Sequence, residues 1–95
     1  MLDLTAAADL LRALGHPLRL AIVLQVREEE RCVHELVDHL GASQPLISQH
    51  LKVLRSVGVL SATKRGRETA YAVADHHILH IALDAITHAD EGNHP

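Results

Sequence analysis

Residues 35–60, ELVDHLGASQPLISQHLKVLRSVGVL, decide the fold. Two apolar runs at helical spacing flank a tight turn. The first run begins two residues earlier, as VHELVDHL, where Val33, Leu36, Val37 and Leu40 share one helical face. Gly41-Ala42-Ser43 is the turn. Ser43 can cap the next helix, and Pro45 suits its first turn, where a missing backbone donor is harmless. That helix, PLISQHLKVLRSV, is expected to bury Leu46, Ile47, Leu51 and Leu54 before Gly58 stops it.

Downstream the period changes from helical to alternating. VLSATK, a turn at Arg65-Gly66 and ETAYAVA read as a short hairpin. Asp75, a good N-cap, then opens a last helix, HHILHIALDAITHADE, with Ile78, Ile81, Ala82, Ala85 and Ile86 as its apolar stripe. Upstream, Thr5 is placed to cap a first helix, AAADLLRAL, which Gly15 ends. Pro17 opens a second, PLRLAIVLQV, and EEER is a polar break that reads as a solvated turn. Gly92 to Pro95 reads as a frayed tail. The expected fold is mainly α with a small β-hairpin, one domain over 1–95. Residues 1–26 form N-terminal helices, 33–57 a helix-turn-helix, 59–74 a wing and 75–91 a last helix.

Composition sets limits on this domain. Apolar residues make up 47% of 95 and aromatics 1%, Tyr71 alone, so the core is aliphatic. A chain this short buries little surface, and help from a metal or a partner subunit is expected. One cysteine, Cys32, rules out an intramolecular disulfide and points to a reducing compartment. MLDLTAAADLL lacks a basic leader, so no signal peptide is expected, and no stretch reaches the roughly eighteen apolar residues of a membrane span. The expected location is cytoplasmic.

Two short helices, a tight turn and a basic hairpin make a winged helix-turn-helix. The second helix of such a unit lies in the major groove of double-stranded DNA and offers small polar side chains to base edges. Ser43, Gln44, Ser48, Gln49 and Lys52 supply them. Lys64, Arg65 and Arg67 at the hairpin tip can meet phosphates. A net charge of −3 hides the asymmetry: Lys52 to Arg67 holds five cations and no acid, which leaves the remainder at −8. A local basic surface is what phosphates need.

The run from Glu35 to Leu60, followed by KRGRETAYAV, resembles the ArsR/SmtB family of metal-sensing repressors. It resembles the family's pattern of Ser-x-x-Ser-x-His-Leu-x-x-Leu, then Gly-Leu-Val, then Arg-x-Gly-Arg-x-x-x-Tyr-x-Leu, and the likeness extends from about Ala8 to Glu91. Pro45 departs from it, standing where the family often has a polar residue. The resemblance implies a homodimer that binds an inverted-repeat operator and is released by metal.

The last helix carries ligand types that zinc accepts: Asp75, His77, His88 and Glu91. His77 and His88 are roughly 16 Å apart along a helix, so one helix cannot hold one ion with all four. Two antiparallel copies can, with His77 of one beside His88 of the other and two equal sites about a twofold axis near Ala82 or Leu83. His88 and Glu91 are i,i+3 neighbours, and Asp75 reaches His77 from its cap position. The spacing is similar to the last-helix site of the family's zinc-sensing branch. That resemblance further implies a hydrogen bond from His88 to the Gly58 carbonyl, linking metal to reading helix.

The other histidines and the thiol are assigned bland roles. His76 and His80 read as surface residues, and His16, His34, His39 and His50 as exposed or capping. His94 could be an accessory ligand, and Cys32 a packed thiol. Cobalt or nickel would use the same donors, although six-coordinate nickel needs more ligands and no histidine precedes His16. A metal-independent winged-helix regulator and a metal buffer that never binds DNA remain open. An enzyme is not expected, nor a small-molecule substrate: no nucleophile–base pair stands out, and four protein ligands leave a metal no open position.

Overall fold

The computed structural model describes residues 2–92. Its elements are α1 (Thr5–Leu14), α2 (Pro17–Val26), β1 (Arg31–Cys32), α3 (Val33–Leu40), α4 (Gln44–Ser56), β2 (Leu60–Arg65), β3 (Glu68–Val73) and α5 (His76–Gly92).

Local chemistry sets the helix ends. Leu4 stands at the N-cap position of α1, and Asp3, one residue before it, accepts the Thr5 N–H through Oδ1 at 2.9 Å. The expected cap at Thr5 is therefore corrected: Thr5 is already helical, and a carboxylate two residues back reaches its amide. His16 Nδ1 accepts from the Leu18 N–H at 3.1 Å and starts α2, with Pro17 behind it. The Cys32 N–H donates to Glu35 Oε1 at 2.8 Å at the head of α3. That helix ends at Gly41, φ 67°, whose N–H bonds the Val37 carbonyl at 2.9 Å. A Cβ in that left-handed conformation is costly, which is why the turn into α4 needs glycine. Ser43 Oγ then accepts from the Leu46 N–H at 3.4 Å.

The sheet has three antiparallel strands in the order β1-β3-β2. The expected hairpin is present as β2 and β3, but a third strand joins it. Arg31 and Cys32 pair with Tyr71 and Ala70, so the end of the supposed polar break is strand. The hairpin turn also shifts by one residue. Arg65 still pairs with Glu68, leaving Gly66-Arg67 as the loop. Gly66 has φ 65° and Arg67 does not have positive φ, the pattern of a II′ turn, whose twist suits a hairpin.

The core is aliphatic, with Ile22, Leu36, Ile47, Leu51, Leu54 and Val59 fully buried between the helices and the sheet. Leu46, expected inside, is 40% exposed. The inward face of α4 runs through positions 47, 50, 51 and 54, and Leu46 lies about 100° round the helix from Ile47. α5 packs on α2 and β3. Its stripe divides: Ile78 and Ala82 are buried in this core, while Ile81 is 41% exposed and Ala85 faces out with it.

Candidate nucleic-acid interface and metal centre

The inward face of α4 dictates its outward one. With Ile47, Leu51 and Leu54 in the core, Gln44, Ser48, Gln49 and Lys52 are exposed on the other side. Ser43 is exposed too, although its hydroxyl serves as the α4 cap. The wing tip carries Lys64, Arg65 and Arg67, all exposed, on the two-residue loop and the strand end beside it. Small polar groups thus lie on one helix face and cations on the neighbouring hairpin, the division between base and phosphate contacts that a groove-reading unit needs.

The wing is tied to the body by Glu30. Its Oε2 accepts from the Thr63 hydroxyl at 3.4 Å, and its Oε1 lies 3.6 Å from Arg65 Nη2. The sequence gives no hint of this role for EEER. Three acids in a row before a strand that is only two residues long carry no period that would announce it.

On α5, Asp75 and His77 come together at the N-terminal end. Asp75 Oδ1 accepts from the Ile78 N–H at 3.0 Å, the expected cap, and lies 3.9 Å from His77 Nδ1. The His77 side chain is 96% exposed, so its ring is open to a ligand. His88 and Glu91 are exposed near the opposite end of the same helix. Among the described residues, no three ligand-type side chains converge within one chain. The donors themselves, two imidazoles and two carboxylates, are of the kind zinc accepts. Gly58 ends α4 with φ 79° and is exposed. A cleft of about 500 Å³ borders Asp75 and His76, and Glu28, Glu29 and Glu30 form part of its wall, so this end of α5 sits in an acidic surround.

The remaining histidines divide. His76 and His80 are exposed. His34 is exposed and 2.8 Å from Glu68, and His39 Nδ1 is 2.7 Å from the Glu35 carbonyl. His50 departs from the expected exposed or capping role: it is buried at 7% exposure on α4. Its Nδ1 accepts from Arg19 Nε at 3.0 Å, and its ring centroid is 4.5 Å from that of His16. Burial first, then His16 and Arg19, hold His50 below the ordinary histidine range. Two signals point to this pair in the sequence: a lone cation in the apolar run PLRLAIV, and a histidine in step with Ile47 and Leu54. Cys32 is buried, and burial, followed by a hydrogen bond to Glu68, pushes its thiol up. His94 and the tail from residue 93 lie outside the described residues, while Gly92 closes α5.

The family described as "Bacterial regulatory protein, arsR family" matches residues 16–62. The HTH-type transcriptional repressor SmtB of Mycobacterium tuberculosis is 60% identical over 93% of this chain, which spans 65% of that protein's length. The HTH-type transcriptional regulator NmtR of the same species is 35% identical over 94% of this chain and 77% of its own. Among solved structures, one similar fold is a homodimeric winged helix-turn-helix DNA-binding domain from Mycobacterium bovis, a possible ArsR-family transcriptional regulator. It has a TM-score of 0.88 at 25% identity, covering 96% of this chain and 84% of that one.

Proposed function

The chain belongs to the ArsR/SmtB family of bacterial regulatory proteins, and from that premise we propose that it is a transcriptional repressor whose homodimer holds an inverted-repeat operator in the cytoplasm and releases it on binding zinc. The observation that carries this reading is the division of α5. Asp75 and His77 stand at one end, His88 and Glu91 near the other, with exposed Ile81 and Ala85 between the pairs. An exposed apolar patch flanked by two half-sites suits an antiparallel copy of itself.

Zinc, when bound, supplies a cross-link between subunits. The protein's part is to deliver donors from both copies. Asp75 keeps its cap with one oxygen and offers the other. His77 stands clear of the surface, and His88 and Glu91 share a helix face. His88, by its second ring nitrogen, would contact the Gly58 carbonyl at the end of the reading helix and shift the spacing of the two α4 helices. Ser43, Gln44, Ser48, Gln49 and Lys52 would read bases, and Lys64, Arg65 and Arg67 would hold phosphates. Cobalt or nickel on the same donors is the second reading, because the donor chemistry alone admits them.

The test is a binding titration against a DNA duplex selected by this protein from a random library, first with chelator and then with zinc, cobalt or nickel. The chelated protein should bind tightly, and zinc should weaken it by about tenfold to a hundredfold. If no duplex is selected, the DNA half of the reading fails. Selection without a metal effect leaves a metal-independent regulator instead.

A further inference from the structure

α4 is held from behind by a polar network inside an otherwise aliphatic core. His50 Nδ1 accepts from Arg19 Nε at 3.0 Å. Arg19 also donates, through Nη1, to the Ala13 carbonyl near the end of α1, at 3.3 Å. His16, whose Nδ1 caps α2, packs its ring against His50 at 4.5 Å. One chain of interactions therefore joins the last turn of α1, the first turn of α2 and the middle of α4. His50 is the buried polar residue of that chain, at 7% exposure, and it sits between the base-reading residues Gln49 and Lys52.

An arginine can only donate, so the bond exists only while His50 Nδ1 carries a lone pair. Protonation removes the acceptor and sets a second cation against the guanidinium in a buried place. The charged and titratable groups acting on His50 are His16 and Arg19, both from the start of α2. α1 adds the Ala13 carbonyl, and its Asp9 and Arg12, which border a cleft beside Arg19, are paired with each other at 2.9 Å. Among the described residues, no carboxylate touches the ring to compensate a proton.

We infer that His50 is a positioning residue for DNA binding: its neutral ring, gripped by Arg19, fixes the seat of the reading helix, and protonating it releases that helix and with it the DNA. This rests on the DNA-binding reading above, but not on the metal. The sign follows from the environment. Burial first, then the neighbouring His16 and Arg19, disfavour the charged ring in the folded protein, so the seat is intact above the unfolded histidine pKa and is lost progressively as pH falls below it.

The test uses the full chain with chelator, a duplex selected at neutral pH, and His50→Gln, whose amide oxygen still accepts from Arg19 but cannot be protonated. From about pH 7.5 to about pH 5, wild-type affinity should fall severalfold relative to His50→Gln, steepening toward about one decade per pH unit for the single proton. In parallel, ring-nitrogen NMR of the wild type should show His50 Nδ1 gaining its proton, and the bonded Arg19 Nε–H signal vanishing, over the interval in which affinity is lost. If both proteins follow the same pH profile, or if the Arg19 signal persists while DNA is released, the proposal is overturned. Should His50→Gln not fold, the NMR correlation in the wild type decides alone. Absence of binding to any duplex at any pH would bring down the repressor reading, and this one with it.

Discussion

Asp75 caps a helix and, in the proposed site, would also serve a metal. Oδ1 caps α5 through the Ile78 N–H, while Oδ2 makes no hydrogen bond of that cap. Asp75→Asn keeps a capping oxygen and loses the charge, so zinc affinity should drop by about tenfold or more while α5 stays intact. Asp75→Ala should lose the same affinity and about 1 kcal/mol of stability besides. Chelator competition and thermal melts separate the two effects; unchanged zinc affinity in the Asn variant would remove Asp75 from the ligand set. Cys32 makes a different prediction. Its thiol is pushed up in the folded state by burial and by Glu68, so ionisation favours the unfolded chain. Stability is complete below the ordinary thiol pKa and is lost as pH rises through and past it, from about pH 8.5. Denaturant melts should show that loss in the native chain and not in Cys32→Ala; parallel pH curves for the two would contradict it.

The wing is the element whose charge can be read most directly. Arg67 sits in the II′ loop with no ion pair among the described residues, whereas Arg65 lies 3.6 Å from Glu30. Changing either to Ala should lower affinity for any duplex and reduce the salt slope by about one unit for every phosphate that is no longer neutralised. Arg67→Ala should be the more damaging, because Arg65 must first leave a carboxylate. Ser48→Ala or Gln49→Ala on α4 should instead relax base preference at an unchanged slope, and the reverse pattern would exchange the roles of helix and wing. Elements long enough to show a period were legible in the sequence: the five helices, the β2–β3 hairpin and the outward face of α4. β1 was not, because two residues carry no alternation and its pairing with Tyr71 and Ala70 joins distant parts of the chain. The Asp75–His77 juxtaposition was legible from the cap position, while the Arg19–His50 bond spans 31 residues and leaves as its trace only a cation and a histidine out of place in apolar patterns, with nothing to pair them.

At the scale of the whole molecule, one protomer leaves apolar surface uncovered. Leu11 on α1 is 57% exposed and Ile81 on α5 is 41% exposed. Ile81→Glu should therefore sediment near the 10.4 kDa of one chain, and a persistent dimer would move the interface elsewhere. The proposed shared metal site would have its own signature in mixtures. His77→Ala and His88→Ala homodimers each lack a ligand in both sites, but a mixed dimer has one site missing two histidines and one complete. Mixing should restore one tight zinc site per dimer; none restored, with exchange verified, would end the shared-site reading. β3 adds a practical handle at this scale. Tyr71 lies mid-sheet, opposite Arg31 on one side and Ala62 on the other, in a chain with no tryptophan and no second tyrosine. All of the chain's near-ultraviolet emission therefore comes from one ring at the root of the wing. A fluorimeter, with no dye attached, reports on the surroundings of this one ring, where β3 joins the hairpin to β1.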